Sequence, residues 1–205
     1  MCIRDRNNAP DGSMYITDMH RGIIQHKVYM TVYLKNKIED RQLDTIINAG
    51  RIFRVSKNKK QSEAFNIDEK NNAELCELLR SENGWLRDRA QQLLIHRNAK
   101  DVTNTLYEIS KDSKNHLAQL HALWTLEGLG ELKESILLET QMDWHPKVIQ
   151  TIIQLSERFS DTFSSDRWKK YMQLFNLNNK AIDVQLAFSI SQQNNQENVF
   201  FPSIT

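Results

Sequence analysis

Three polar side chains crowd one turn-like segment early in the chain: Asp18, Arg21 and His26, within MYITDMHRGIIQH. An arginine there suits planar, bidentate recognition of a carboxylate, with His26 as a further polar contact. The same residues admit a structural reading, in which Asp18 pairs with Arg21 to fix the loop and His26 caps the next helix. The sequence leaves both readings open. His116, His121 and His145 are of metal-ligating type. However, His116 and His121 do not share a helical face as an i, i+4 pair would, and no acidic residue stands at the right step, so no metal site is expected. Cys76 reads as a small buried side chain with no neighbour to activate it. No GxSxG, P-loop, GxGxxG or paired-carboxylate cleft is present. No catalytic residue is therefore assigned.

The elements that must position these groups change character near Ser56. Before it, Pro10-Asp11-Gly12 signals a turn. Met14 to Thr17 and Arg51 to Val55 read as strands. Tyr29 to Leu43 reads as a short helix. Two strands bridged by so long an insertion do not make a stable domain alone. This segment needs further sheet, or support from the C-terminal part of the chain. Residues 57–70 read as a polar linker anchored by Phe65 and Ile67. Beyond it everything reads as helix.

The most apolar stretch is Asn115 to Leu132, NHLAQLHALWTLEGLGEL. Leu117, Leu120 and Trp124 line one face, and Ala118, Ala122 and Leu126 line the next. A helix apolar over more than half its circumference must be covered on two sides. Gly128 and Gly130 are expected to end it. Other helices are expected at Ala73–Arg80, Asn83–His96, from a cap at Asp101, at Leu132–Thr140, Asp143–Phe159, Asp166–Phe175 and Ile182–Ser191. Pro146 stands in a helical first turn, where proline is favoured.

These helices repeat in pairs. Leu86 to Leu94, with Ala90 at its centre, aligns with Ala118 to Leu126 and then with Val148 to Ile152, at a period of about 30 to 32 residues. The last pair, around Val184 to Phe188, fits loosely. Such a period predicts stacked units, none able to bury its face alone. The expected fold is mainly α: a HEAT/ARM-like α-solenoid of about four helix pairs over residues 71–192, preceded by a small strand segment. Trp85, Trp124 and Trp144 are expected to pack in the core rather than form a stacking platform. Arg87 and Arg89, beside Asp88, are expected to ladder between repeats or to face solvent. Glu127, the lone charge in its apolar helix, is expected to accept a bond from Arg87 or Arg89 of the preceding repeat.

Bulk composition excludes several classes. Among 205 residues, 40% are hydrophobic and 26% charged, as in ordinary globular chains. A net charge of +1 gives no field directed at nucleic acid or an anionic membrane. No run approaches the ~18 apolar residues of a membrane span. Two cysteines make neither a disulfide framework nor a CxxCH haem attachment. Residues 1–8 lack any pattern or signal-peptide core and are expected to be a non-native leader. The tail, 193–205, is polar and is expected to be cut within a longer protein.

Taken in series, PDGSMYITDMHRGIIQH (Pro10 to His26), YMTVYLKNKIEDRQL (Tyr29 to Leu43), GRIFRVS (Gly50 to Ser56), NGWLRDRAQQLL (Asn83 to Leu94) and LHALWTLEGLGEL (Leu120 to Leu132) resemble one family. It is the membrane-bound-dehydrogenase-type proteins of bacteria. These join a propeller similar to glucose/sorbosone dehydrogenases to HEAT-like repeats and usually to a c-type cytochrome domain. The resemblance covers roughly residues 9 to 160. It implies that residues 9–56 close the last propeller blade, that the sheet partners lie upstream, and that a haem-binding CxxCH lies downstream. It implies a periplasmic or secreted parent using PQQ and haem c, with neither held by this chain. For this loop it implies only that the loop recurs; the functional reading sets Arg21 and His26 as cofactor-binding residues on a pocket rim, and the residue pattern gives Asp18, Trp85, Arg87, Ala90, Trp124, Glu127 and Pro146 structural roles. The partners implied are the flanking domains and a protein on a concave helical face. The alternative is a stand-alone HEAT-type scaffold binding a protein or peptide.

Overall fold

The computed structural model describes residues 5–23, 26–57, 66–159 and 165–193. The chain is mainly helical with a small three-stranded antiparallel sheet. It divides into two compact units. The first comprises Met1–Phe65 with Asn83–Trp85, the second Asn66–Glu82 with Leu86–Thr205.

In the first unit, strands β1 (Arg6–Asn8), β2 (Met14–Asp18) and β3 (Arg51–Val55) lie in the order β1-β2-β3. Tyr15 pairs with Arg54, Ile16 with Phe53 and Asp18 with Arg51. Strand β1 falls in the stretch expected to be a patternless leader, and its Asn8 and Arg6 oppose Met14 and Ile16. Its three polar residues carry no alternation of their own; register with β2 defines it. The turn between β1 and β2 is built as its residues dictate. Gly12 takes φ +76 and its N–H bonds the Ala9 carbonyl. Asp11 Oδ1 accepts from the Ser13 N–H at 2.9 Å and its hydroxyl at 2.6 Å. Arg54 reaches back from β3 to Asp11 Oδ2 and to Ser13 Oγ. In the same unit the Asn83 amide donates to the carbonyls of Ala9 and Pro10 at 2.9 and 3.1 Å. The helix expected over Tyr29–Leu43 is divided: a 3-10 turn (Lys27–Tyr29), then α1 (Val32–Asp40) capped by Thr31, whose hydroxyl accepts from Leu34 N.

The second unit begins inside the expected linker. Asn66 caps a 3-10 turn, Ile67–Glu69, and Ile67 is buried. Arg97 donates to the carbonyls of Asp68 and Lys70, both at 2.6 Å. Phe65, the other expected anchor, lies outside the described residues. Helix α2 (Asn72–Leu78) opens with a reciprocal capping box between Asn71 and Glu74. Then come α3 (Gly84–His96), α4 (Thr103–Lys111), α5 (His116–Gly128), α6 (Ser135–Leu138), α7 (Pro146–Ser156), α8 (Ser165–Phe175) and α9 (Lys180–Gln193). Asp101 does not cap the helix expected after it. It lies in a 3-10 turn, Lys100–Val102, and accepts from the Asn72 amide. Of the helix expected over Leu132–Thr140 only the four residues of α6 form. Residues 194–205, most of the expected tail, lie outside the described residues.

Helix α5 is buried on two sides, as its composition demands. Ala118, Ala122, Leu123 and Leu126 have no exposed surface. It packs on α4 and on α7, and α7 in turn on α9. The two glycines at its end divide the work. Gly128 is still helical, and a Cβ there would come within 2.6 Å of Ile95 on α3. Gly130 takes φ +70, and the Gly130 and Glu131 N–H groups bond the Glu127 and Leu126 carbonyls, closing a Schellman turn. Asn98 does the same for α3 at φ 52, with bonds to Ile95 and Leu94.

Many polar contacts between elements of this unit share a similar step, while others, such as Arg89–Asp68, Tyr107–Glu131 and Arg80–Asn115, are 21, 24 and 35 residues apart. Asn72–Asp101, Arg80–Asp112, Gln91–His121, Glu127–Arg158, Glu134–Arg167, Gln150–Ala181 and Glu157–Ser189 are each 29 to 33 residues apart. The expectation that Glu127 accepts from Arg87 or Arg89 is corrected here. It binds forward, to Arg158 Nη1 at 2.5 Å. Arg87 turns back to the carbonyls of Ser81 and Glu82 at 2.7 and 3.0 Å, and Arg89 meets Asp68 at 3.5 Å. The Arg167 side chain is wholly buried; its Nε donates to Glu134 Oε1 at 3.1 Å and its Nη2 to Glu134 and to the Phe159 carbonyl.

Two outcomes are expected. Glu134→Ala, which strips a buried guanidinium of its carboxylate, should lower urea stability of the helical unit by about 3 kcal/mol, whereas Arg167→Met with Glu134→Leu should recover most of it. The second concerns acid. Hydrogen bonds from Ser13 and Arg54 hold the Asp11 carboxyl down to about 2. A depressed carboxyl stabilises fully above its unfolded value near ~3.9 and loses that contribution as pH falls towards 2. Strand protection in the first unit, followed by hydrogen exchange, should therefore weaken between those two values, and Arg54→Ala should move the weakening to higher pH.

Candidate functional site

The loop leaving β2 carries a polar cluster whose membership differs from the expected one. Asp18 ends β2. Its Oδ1 accepts from the His20 backbone N–H at 3.1 Å, and its Oδ2 lies 3.5 Å from Arg51 Nη2 on β3. The same Arg51 Nη2 approaches His20 Nδ1 at 2.8 Å. A guanidinium can only donate, so Nδ1 is the acceptor in this contact. His20 holds φ 41, in the left-handed region. For a non-glycine residue this costs on the order of 1 kcal/mol. The cluster is thus Asp18–His20–Arg51, where the sequence points to Asp18, Arg21 and His26. His20 carries no local signal, because what selects it is the pairing of Asp18 with Arg51 across the strands.

Arg21 points elsewhere. It lines a cleft of about 480 Å³ with an apolar base that includes Ile23, Ile38 and Leu43, and with Lys35, Glu39 and Asp44 as its other charged walls. None of those four charged side chains is ion-paired among the described residues. Gly22 sets the loop against α1's end: a Cβ there would lie 2.5 Å from the Leu43 carbonyl oxygen and 2.9 Å from its Cα. His26 does not line the cleft. Its carbonyl accepts from the Tyr29 N–H at 3.0 Å, and its ring tilts against Tyr29 at 5.8 Å. It supports the 3-10 turn before α1, while Thr31 caps α1 itself.

The residues assigned structural roles are dispersed through the fold. Ala90 is fully buried in α3; Trp85 and Trp124 are half-buried; Trp144 is 4% exposed within the core around Leu123, Val148 and Ile152. Pro146 opens α7, where His145 is the cap and accepts from Lys147 N at 3.2 Å. The rings of His116 and His145 stack, centroids 4.1 Å apart and 12° from parallel, so their lone pairs do not converge on a shared ion. His121 shares a 2.7 Å hydrogen bond with Gln91, and burial pulls its pKa down. Among the described residues no three metal-ligating side chains gather. Burial pushes the Cys76 thiol up to about 12, leaving it un-ionised. Among the described residues no helix is long and apolar enough to cross a membrane.

Comparison with known proteins adds one finding. Residues 4–59 match a domain of unknown function (DUF7133), a stretch that contains β1, β2, α1, β3 and the Asp18–His20–Arg51 cluster. No curated protein and no solved structure matches the chain.

Gly22→Ala should force the loop off the Leu43 backbone, costing roughly 2 kcal/mol in the first unit. Hydrogen exchange should show faster exchange over residues 43–47 with α5 unchanged; equal protection in Gly22→Ala and the parent chain would show that the close approach is dispensable.

Proposed function

We propose that the chain is a non-catalytic spacer: a HEAT-like α-solenoid carrying, at its start, closing strands of a β-propeller. The observation that carries this reading is that seven polar pairs along the second unit lie 29 to 33 residues apart. A recurring step between contacting elements is what stacking of like units produces. It agrees with the period of the apolar pattern.

The first unit supports the other half. All five residues of β3 are exposed, Ile52 at 68%, and Val28, Tyr29, Val32 and Tyr33 each exceed 70%. Among its described apolar residues only Ala9 and Ile38 are buried. Surface of this kind belongs to a sheet that continues into a larger body.

The resemblance supplies the parent: a periplasmic or secreted quinone-dependent sugar or alcohol dehydrogenase that passes electrons to a c-type haem. The residues present do not fit either group. Around the Arg21 cleft two cations face two carboxylates, a balance unsuited to an anionic quinone. No CxxCH is present to attach haem. The chain's role is then to set distance and angle between domains. The second reading, a stand-alone scaffold for a protein or peptide, draws on the exposed Phe175, Val184 and Phe188 of α8 and α9.

Sequencing the coding region on both sides separates the readings. Propeller repeats upstream and a CxxCH downstream are the expected result. If neither is found, the dehydrogenase parent is lost and the scaffold reading stands.

A further inference from the structure

The sheet of the first unit ends on β3, and which backbone groups that edge offers follows from the ladder. The Ala9 N–H donates to the Ser13 carbonyl at 2.9 Å, and the Thr17 N–H to the Asp5 carbonyl at 3.0 Å. The backbones of Ser13, Tyr15 and Thr17 therefore turn towards β1. Alternation turns those of Met14, Ile16 and Asp18 towards β3, where they face Val55, Phe53 and Arg51. The N–H and C=O groups of Ile52 and Arg54 are left on the outer edge, unpaired among the described residues.

Edge strands commonly carry a device against pairing: a lysine, a proline, a bulge or extreme shortness. β3 has none of these. It runs five residues opposite β2 without a bulge and holds no lysine or proline. Its arginines are engaged inside the unit, Arg51 with Asp18 and Arg54 with Asp11. Ile52, Phe53 and Val55 are all exposed. The opposite edge, β1, is three polar residues long.

We infer that β3 pairs edge to edge with β3 of a second copy of this chain, antiparallel about a two-fold axis through Phe53. RIFRV is self-complementary in that register. Ile52 and Arg54, whose backbones face outward, meet the partner's Arg54 and the partner's Ile52 as hydrogen-bonded pairs. Phe53 meets the partner's Phe53 on the axis, in the closer, non-hydrogen-bonded position that favours aromatic pairs. Arg51 lies opposite the partner's Val55, so no two like charges stand directly across the strands. A net charge of +1 adds no repulsion between copies. The contact closes on itself and uses up the edge. It is small against the roughly 1,200 to 2,000 Å² of stable interfaces, so the dimer is a weak one. The inference goes beyond the spacer reading and does not rest on it. It concerns the edge of the sheet, whereas that reading concerns its faces and the helical unit.

Sedimentation velocity on the 205-residue chain tests it. Loading from about 10 µM to about 1 mM spans the range of a weak contact. A monomer–dimer equilibrium is expected, with no larger species. Ile52→Pro should abolish it, because proline removes an outward N–H that the ladder with β2 does not use. Phe53→Lys and Phe53→Glu should each be monomeric, since each sets like charges opposite one another on the axis. Mixing the two should restore a dimer at least tenfold tighter than either variant forms alone. Only a contact in which residue 53 meets itself gives that result. Amide protection of β2 in each variant reports that the first unit stays folded. The proposal is overturned if the unaltered chain is monomeric throughout, or if its assemblies exceed two copies. It is equally overturned if Ile52→Pro associates as the unaltered chain does, or if the folded Lys and Glu variants stay monomeric when mixed. A monomeric chain leaves the spacer reading to the flanking sequence, so the two fail separately.

Discussion

The helical unit depends on one constraint: α5 is apolar over more than half its circumference and must be covered on two sides. Its own partner, α4, covers one. The second cover comes from α7, and α9 packs on α7 in turn. Close approach rests on small residues, Ala118 and Ala122 at full burial and Gly128 against Ile95. At roughly 25 cal/mol per Å² of apolar surface, this shared burial is the main favourable term, and it is non-directional.

Non-directional packing does not choose a register, and the polar contacts do. A leucine face can slide by a turn with modest loss, but a buried guanidinium cannot leave its carboxylate. Arg167 and Glu134 lock α8 to the approach of α6, and Tyr171 with Ser156, hydroxyls 2.7 Å apart, locks α8 to α7. At the rim, Glu127–Arg158 and Lys100–Glu131 at 2.7 Å add less energy but the same registry. Burial raises the Tyr171 pKa, keeping that hydroxyl protonated and able to serve in the lock.

Much of this is legible from residue types. The burial of the α5 alanines, the left-handed turn at Gly130 and proline at the start of α7 each come from local chemistry. What stays hidden depends on partners distant in sequence. β1 has no alternation and exists through its register with β2. Asn98 ends α3 in a conformation more often glycine's. Arg167 reads as a surface cation, and only Glu134 and the Phe159 carbonyl, brought over it by the fold, make it a core residue. Glu127, a lone charge in an apolar helix, calls for an arginine, but that this is Arg158, later in the chain, rather than Arg87 or Arg89 is a tertiary fact. The loop after β2 is obscure for the same reason: Arg51 lies on a different strand, so proximity in sequence favours Arg21 and His26.

The two arginines of GRIFRV show how strongly strand pairing decides roles in the first unit. Arg54 crosses to Asp11, before β2, and Arg51 crosses to Asp18, at its end. One strand is thus clamped to its neighbour at both ends by charge, across a sheet with little apolar cover. Such clamps satisfy each carboxylate while leaving the strand faces exposed. Had Ile52, Phe53 and Val55 been covered within this unit, packing would hold the pair and the clamps would be redundant. Beside exposed apolar residues, they hold the strands in register where packing does not. The helical unit has the opposite logic, with burial supplying the energy and charge supplying only the register.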